Sequence, residues 1–365
     1  MVITRLEVKD FRNYHSFVVE PAAGLTVFVG PNAAGKTNIV EAVQLVTAAQ
    51  SFRKPRFEDL VRWGSEGARI RLRAEKEPRM LETGLDVSAD GKRTYTVNGQ
   101  VRRRLSDVAG ILPAVVFSPE DLALVKGPAE RRRATIDDLG EQLSPTYGSL
   151  RRDYGKVVRH RNSLLRDGVS GAALDVWNEQ LAALGSRLVV HRLRLLERVM
   201  VHVRQRYSLM AEGEQVEASY DDRCALTSCD QGDTDAVQEG IRVEIERRRA
   251  EEMRRATTLV GPHRDDIVFS ISARDARSFA SQGQQRTLAL AWKLAEVEVV
   301  REVLHRDPVL LLDDVMSELD AERRGALSAM VSSDIQTMVT TTNTGYFTPE
   351  MLEEALVVPI QRERV

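Results

Sequence analysis

Cysteine is nearly absent from this chain: Cys224 and Cys229 are the only two among 365 residues. Two thiols are too few for a disulfide framework or a four-ligand zinc site, and they read as incidental thiols of a reducing compartment. Charge of one sign is lacking too, since 52 Lys+Arg face 54 Asp+Glu, a formal net charge of −2. A nucleic-acid partner is therefore not advertised by any basic excess, and DNA binding would have to rest on local clusters. Long apolar runs are missing: Pro308 to Leu312 is among the longest, far short of the roughly 20 residues that cross a bilayer. The first residues, MVITRLEVKDFRNY, alternate apolar and polar side chains like a strand and contain no signal-peptide core. These absences predict a cytoplasmic protein with no membrane partner. What is present is ample material for a core. With 42% hydrophobic residues the chain can bury enough surface to offset its conformational entropy, and its length suits about two domains.

Strand-like alternation fills residues 2–29, at Ile3, Leu6 and Val8, then Phe17 to Val19, then Leu25 to Val29. Segments 68–75, 83–89 and 92–98 read as further short strands, with turns at Ala89-Asp90-Gly91 and Asn98-Gly99. Helix formers dominate from about 130 to 210, where Leu174, Trp177, Leu181, Leu184, Leu188 and Leu195 mark a helical seam with His191 in the intervening core slot. Residues 212–235, rich in Asp, Ser, Gly and Thr, read as a loop, and a second helix follows to Arg255. Strand character returns after Leu259 and peaks at Val309 to Leu312. The expected organisation is a β/α head at residues 1–130, a helical insertion at 131–256 and a β/α return at 257–365.

Gly30-Pro31-Asn32-Ala33-Ala34-Gly35-Lys36-Thr37 fits G-x-x-x-x-G-K-[ST] between a strand and a helix, as a phosphate-binding loop requires. Its glycines let backbone N–H groups turn toward phosphate oxygens, the helix N-terminus adds positive potential, and Lys36 neutralises phosphate charge. Thr37 is a candidate Mg2+ ligand. The apolar run ending in Asp313-Asp314 supplies a matching half, because Mg2+ on a phosphate needs an acidic partner at a neighbouring strand end. Asp313 takes that role, and Asp314 is the candidate to activate the attacking water. Ser281 and Gly283, in Ser281-Gln-Gly-Gln-Gln-Arg286 before an apolar helix, suggest a second anion site. One nucleotide needs two cradles only if two copies face each other, which argues for a homodimer.

Together with Ser317-Glu318-Leu319-Asp320, these motifs resemble the ATP-binding-cassette head ATPases, in the branch shared with structural-maintenance-of-chromosomes proteins. Within that branch, Phe11-Arg12-Asn13-Tyr14, Val116 to Leu122 with Arg131 to Arg133, and Gly261-Pro-His-Arg-Asp-Asp266 resemble the bacterial recombination mediators. The resemblance spans residues 3 to about 345. It implies an α/β fold: a P-loop ABC-type ATPase head of mixed sheets and helices, with a mostly helical inserted second domain. It also implies an ATP- and Mg2+-dependent homodimer that acts at single-strand gaps or ss/dsDNA junctions with RecR and RecO and helps to place RecA. By the same resemblance Asn38 and Arg12 approach the phosphates and Ser281 reaches the partner's nucleotide. Two departures point to slow hydrolysis: Asp314 stands where the wider pattern has Glu, and no His occurs in Thr340-Thr-Thr-Asn343. A clamp or scaffold that binds ATP and scarcely hydrolyses it is the alternative, and a transporter nucleotide-binding subunit is a weaker one. Insertion length excludes a long-armed chromosome protein.

His263 sits in a glycine-framed polar stretch, readable as a local turn residue or as a site residue near nucleotide or DNA. Arginines cluster at Arg53-Lys54-Arg56, Arg102 to Arg104, Arg131 to Arg133, Arg151-Arg152, Arg159-Arg161 and Arg247 to Arg249. Each alone reads as a solvated face, and several together could track phosphates.

Overall fold

Alternation in Val2–Phe11 produces strand β1, which buries Ile3, Leu6, Val8 and Phe11. The three-residue step from Ile3 to Leu6 is accommodated by a register shift between Ile3 and Arg5, a bulge that returns the next apolar side chains to the core face. The computed structural model describes residues 1–76, 78–103, 107–108, 110–222, 232–331 and 335–361; Cys224, Cys229 and Arg104 lie outside them. Contacts divide the chain into two units, residues 1–123 with 289–365, and residues 124–288.

In the first unit, β1 pairs with β2 (Tyr14–Val19) across the two-residue turn Arg12-Asn13. After β3 (Leu25–Val29) and α1 (Lys36–Thr47), the strands β4 (Gly67–Lys76), β5 (Arg79–Ser88), β6 (Arg93–Val97) and β7 (Gln100–Arg102) complete an antiparallel sheet of order β2-β1-β4-β5-β6-β7. A second sheet recruits β8 (Ala114–Phe117), β12 (Val309–Asp313), β13 (Thr337–Thr341) and β14 (Leu356–Pro359) around β3 in the order β14-β3-β13-β12-β8. All four of its pairings are parallel. A parallel sheet needs both faces covered, and accordingly every residue of β8, β12 and β13 is buried. Helix α1 packs on β12 and β13 on one side and on β4 and β5 on the other. Ten of its twelve residues are buried, the polar Lys36, Glu41, Gln44 and Thr47 among them. Short helices α8 (Ala321–Val331) and α9 (Pro349–Glu353) also belong to this unit.

In the second unit, α2 (Ala129–Leu143), α3 (Pro145–Arg166), α4 (Ala172–Ser208) and α5 (Thr234–Arg255) surround a core that includes Tyr154, Leu181, Leu188, Val237 and Ile241. Pro145 at the first turn and the Ser144 hydroxyl, which accepts from Tyr147 N, start α3. Helix α4 runs for 37 residues, about 55 Å at the helical rise. A small sheet of order β11-β10-β9 joins β9 (Val216–Asp221), β10 (Asp266–Ile271) and β11 (Arg274–Asp275), followed by the four-residue α6 (Ala276–Phe279). Helix α7 (Gln282–Leu304) then carries the chain across the division.

Three expectations change. Residues 212–235 are not loop throughout: β9 lies there and pairs with β10 from Asp266↔Asp221 to Ile271↔Val216. That pairing groups 257–288 with the helical unit, so the head resumes at 289 and not at 257. The α4 seam also drifts. Leu174, Leu181 and Leu188 are buried, but His191 is exposed and Arg192 takes the core position, because a seven-residue spacing slips about 20° per heptad on a straight helix.

Candidate nucleotide-binding site

Strand β3 delivers the chain into residues 30–37, and the path there is dictated by close approach. A Cβ on Gly30 would lie 2.2 Å from the Ile360 carbonyl oxygen, and one on Gly35 would lie 2.5 Å from the Asn13 amide; Gly35 also has φ +106°. Gly35 caps α1 without a side-chain hydrogen bond, and no acid occupies the first turn. The first-turn N–H groups and the positive helix end are therefore left to an anion. Lys36 is 7% exposed. Its Nζ curls back to donate to the carbonyls of Gly30 (2.8 Å) and Pro31 (2.9 Å). Burial lowers its pKa, opposed by Asp314 and Asp313.

Thr37 Oγ1 donates to Asp313 Oδ1 at 2.9 Å, and Thr340 Oγ1 donates to the same oxygen at 2.8 Å. Burial raises the Asp313 pKa, while these hydrogen bonds and the charges of Arg53 and Lys36 pull it down. Asp314 sits at φ 53°, in the left-handed region, with its N–H donating to Thr340 Oγ1 at 3.0 Å. Its Oδ1 is buried without a hydrogen-bond partner, and its pKa is raised by burial, with Lys36 pulling it down and Asp313 pushing it up. No group of three His, Cys, Asp or Glu side chains is poised to hold a metal among the described residues. Mg2+ bound with a nucleotide takes one or two protein oxygens plus phosphate and water. Thr37 and Asp313 fit that donor set, and the orphaned Asp314 oxygen marks an adjacent polar position with an unmet partner.

Arg12 and Asn38 do not point freely into this loop. The Arg12 guanidinium is held in three hydrogen bonds, Nε and Nη2 each 2.9 Å from the Glu41 carboxylate, whose side chain is fully buried, and Nη1 3.0 Å from the Asp59 carbonyl. Asn38 donates to Asn13 Oδ1 (2.7 Å) and accepts from Arg53 Nη1 (2.8 Å), and Asn13 in turn donates to the Ala34 carbonyl (3.1 Å). Ser51 Oγ completes the group by donating to Glu41 at 2.7 Å. Sequence reasoning missed Glu41 and gave Asn13, Arg53 and Thr340, named only within longer motifs, no role at this loop. The available signal was Glu41 itself, the one charged residue in the run 39–47.

Ser281 and Gly283 lie in the second unit. Ser281 Oγ accepts from Gln284 N (3.2 Å) while Gln284 Oε1 accepts from Ser281 N (2.8 Å), a reciprocal helix cap. The Ser281 side chain is exposed, and its hydroxyl proton remains free to donate. His263 is a local residue: Tyr154 Oη lies 2.7 Å from Nδ1, and the Thr258 carbonyl lies 3.3 Å from Nε2. Burial pushes its pKa down to about 4, so it is neutral at pH 7. Most of the arginine clusters are matched by carboxylates. Arg132 pairs with Asp266, Arg161 with Glu252 and Arg151 with Asp138, and Arg247 and Arg248 with Glu244.

The Thr37–Asp313 hydrogen bond joins residues 276 apart in sequence within one unit, and with it the class is that of the P-loop ATPase heads, built on a parallel sheet. Known proteins narrow the class. The family described as the RecF/RecN/SMC N terminal domain matches residues 2–363. The DNA replication and repair protein RecF of Heliobacterium modesticaldum is 38% identical over 367 residues, covering 99% of this chain and 98% of that protein. RecF of Shouchella clausii is 37% identical over 372 residues, covering 100% and 99%. Among solved structures, the recombination mediator protein RecF-ATPrS in the RecFOR pathway superposes with a TM-score of 0.89 at 28% identity, over 95% of this chain and 94% of that one. An Smc head bound to the C-winged helix domain of ScpA, at 17% identity and a TM-score of 0.57 over 100% and 95%, shares the fold. The chain belongs to the RecF family.

Proposed function

We propose that this chain is an ATP-dependent DNA-binding ATPase of recombinational repair. In this reading it dimerises on ATP at single-strand gaps or ss/dsDNA junctions and works in the cytoplasm with RecR and RecO to load RecA. The observation that carries the ATPase part is Thr37 bonded to Asp313 with the unpartnered Asp314 oxygen alongside. The relatives named as DNA replication and repair protein RecF support DNA repair, and the RecF structures in the RecFOR pathway support ATP and those partners. No helix among the described residues is long and apolar enough to cross a membrane.

ATP would draw Lys36 from the carbonyls of Gly30 and Pro31 onto its phosphates, exchanging two neutral acceptors for charged ones. Thr37 and Asp313 would hold Mg2+, which when bound neutralises phosphate charge. Asp314 would accept a proton from water at its free Oδ1. Its side chain is short, and its backbone is tied to Thr340, so its reach is limited and turnover is slow. Ser281 and Gly283 would meet the γ-phosphate held by a second copy. The clamp reading, binding without hydrolysis, rests on the same short Asp314.

The test is sedimentation with ATP and with ADP, and turnover with and without gapped DNA. The parent should dimerise with ATP alone and hydrolyse it slowly, faster with DNA, and Ser281→Arg should bind ATP yet stay monomeric. Normal dimerisation of Ser281→Arg would overturn the shared-site reading, and turnover indistinguishable from that of Lys36→Met would favour the clamp.

A further inference from the structure

The exposed face of α4 carries Arg187, His191, Arg194 and Arg198. Steps of four, three and four residues place all four within an arc of about 60°, on the side away from the buried Leu188, Arg192, Leu196 and Val199. Their charge is unspent. Among the described residues none of the three arginines has an ion-pair or side-chain hydrogen-bond partner, and Glu197, three residues from Arg194, makes no pair with it. Three other exposed arginines of this unit are matched, Arg204 by Glu217, Arg242 by Glu179 and Arg255 by Glu251, whereas the arginines of the stripe stand together on one helix face. Two of the cations converge on His191, whose pKa is held below its usual value by burial and then by the charges of Arg194 and Arg187.

We infer that this stripe is a phosphate-tracking surface for the DNA backbone. The assignment rests on the DNA-binding reading above and adds the surface that makes the contact. Arg187 to Arg198 spans about 16 Å of helix axis, and that length of duplex carries about nine phosphates. Three guanidinium forks on a straight rod can therefore each meet an anion. A protein partner is a poorer fit, because interfaces of that kind are anchored by buried aromatic or large apolar side chains, and none is exposed between Arg187 and Arg198. The stripe reads no base edge, so it binds without sequence preference.

The experiment compares two triple variants in the ATP-bound full chain: Arg187→Ala with Arg194→Ala and Arg198→Ala, and Arg204→Ala with Arg242→Ala and Arg255→Ala. Both remove three positive charges, and alanine is favourable in a helix, so circular dichroism should match the parent. Duplex DNA is titrated at several salt concentrations. The stripe variant should bind about 10–100-fold more weakly near physiological salt and lose about 2.7 from its log–log salt slope, whereas the control keeps the parent's slope. A stripe variant that behaves like the control overturns the assignment while leaving DNA binding by the chain intact. If the stripe variant binds DNA like the parent but loses binding to polyglutamate, the surface serves an acidic protein and the assignment falls. A parent that binds no DNA would remove the functional reading and the stripe together.

Discussion

Replacing Glu41 with glutamine removes one negative charge and leaves the side-chain shape almost unchanged. The carboxylate has 0% side-chain exposure against 19% for its partner Arg12. It accepts two hydrogen bonds from Arg12 at 2.9 Å, one from Ser51 at 2.7 Å and a longer one from Arg53 at 3.4 Å. Glutamine keeps one acceptor oxygen and turns an amide N–H toward a guanidinium N–H, so one Arg12 hydrogen bond is lost and the cation is left without its anion. Breaking a fully buried pair costs about 3–5 kcal/mol; Arg12 can recruit some water, so the expected loss is about 2–3 kcal/mol. For a unit of roughly 200 residues that is about 4–12 °C in Tm. The assay is thermal unfolding without nucleotide, with Glu58→Gln as the control. Glu58 pairs with Arg56 in the open, at 48% and 81% side-chain exposure, and such pairs contribute less than about 1 kcal/mol. A Glu41→Gln protein that melts together with Glu58→Gln would refute the argument that this buried carboxylate organises the loop's flank.

Three further outcomes are expected. Lys36→Met should abolish measurable ATP binding at micromolar nucleotide while the fold persists, since the glycine cradle remains; equilibrium binding of a fluorescent ATP analogue checks it, and parent-like affinity would contradict the P-loop assignment. Gly30→Ala should cost about 1–3 kcal/mol and weaken nucleotide binding, because the added carbon would meet the Ile360 carbonyl at 2.2 Å; a variant with parental urea midpoint and affinity would show that β14 yields freely. Asp265 has its pKa pushed up to about 6, burial being the main cause. The folded chain therefore holds a proton that the unfolded chain releases between about pH 4 and 6, so Asp265 contributes less stability as pH rises through that window. Asp265→Asn carries no such proton. Its stability relative to the parent should rise by about 2–3 kcal/mol between pH 4 and 7, read from urea unfolding at each pH, and a constant difference would count against the buried-acid assignment.

Contiguous signals were decided by the sequence itself. The P-loop was legible because phosphate binding needs glycine, lysine and threonine at short fixed spacings, and β12 because a strand covered on both faces must be apolar throughout. The helical insertion was legible from its periodicity. Signals that depend on a distant partner were not. Strand β9 buries only Val216 of its six residues and is a strand because β10 pairs with it. Strand β13 is fully buried although three of its five residues are threonine, because neighbouring strands cover it and Thr340 finds its acceptor in Asp313. Sequence order likewise cannot say which cations are spent. Arg132 lies in an arginine run and is neutralised by Asp266, 134 residues away, whereas Arg187, Arg194 and Arg198 form no run and have no partner among the described residues. Side chains one residue apart point in different directions, and the packing that brings a remote carboxylate to one of them and withholds it from another exists only in three dimensions.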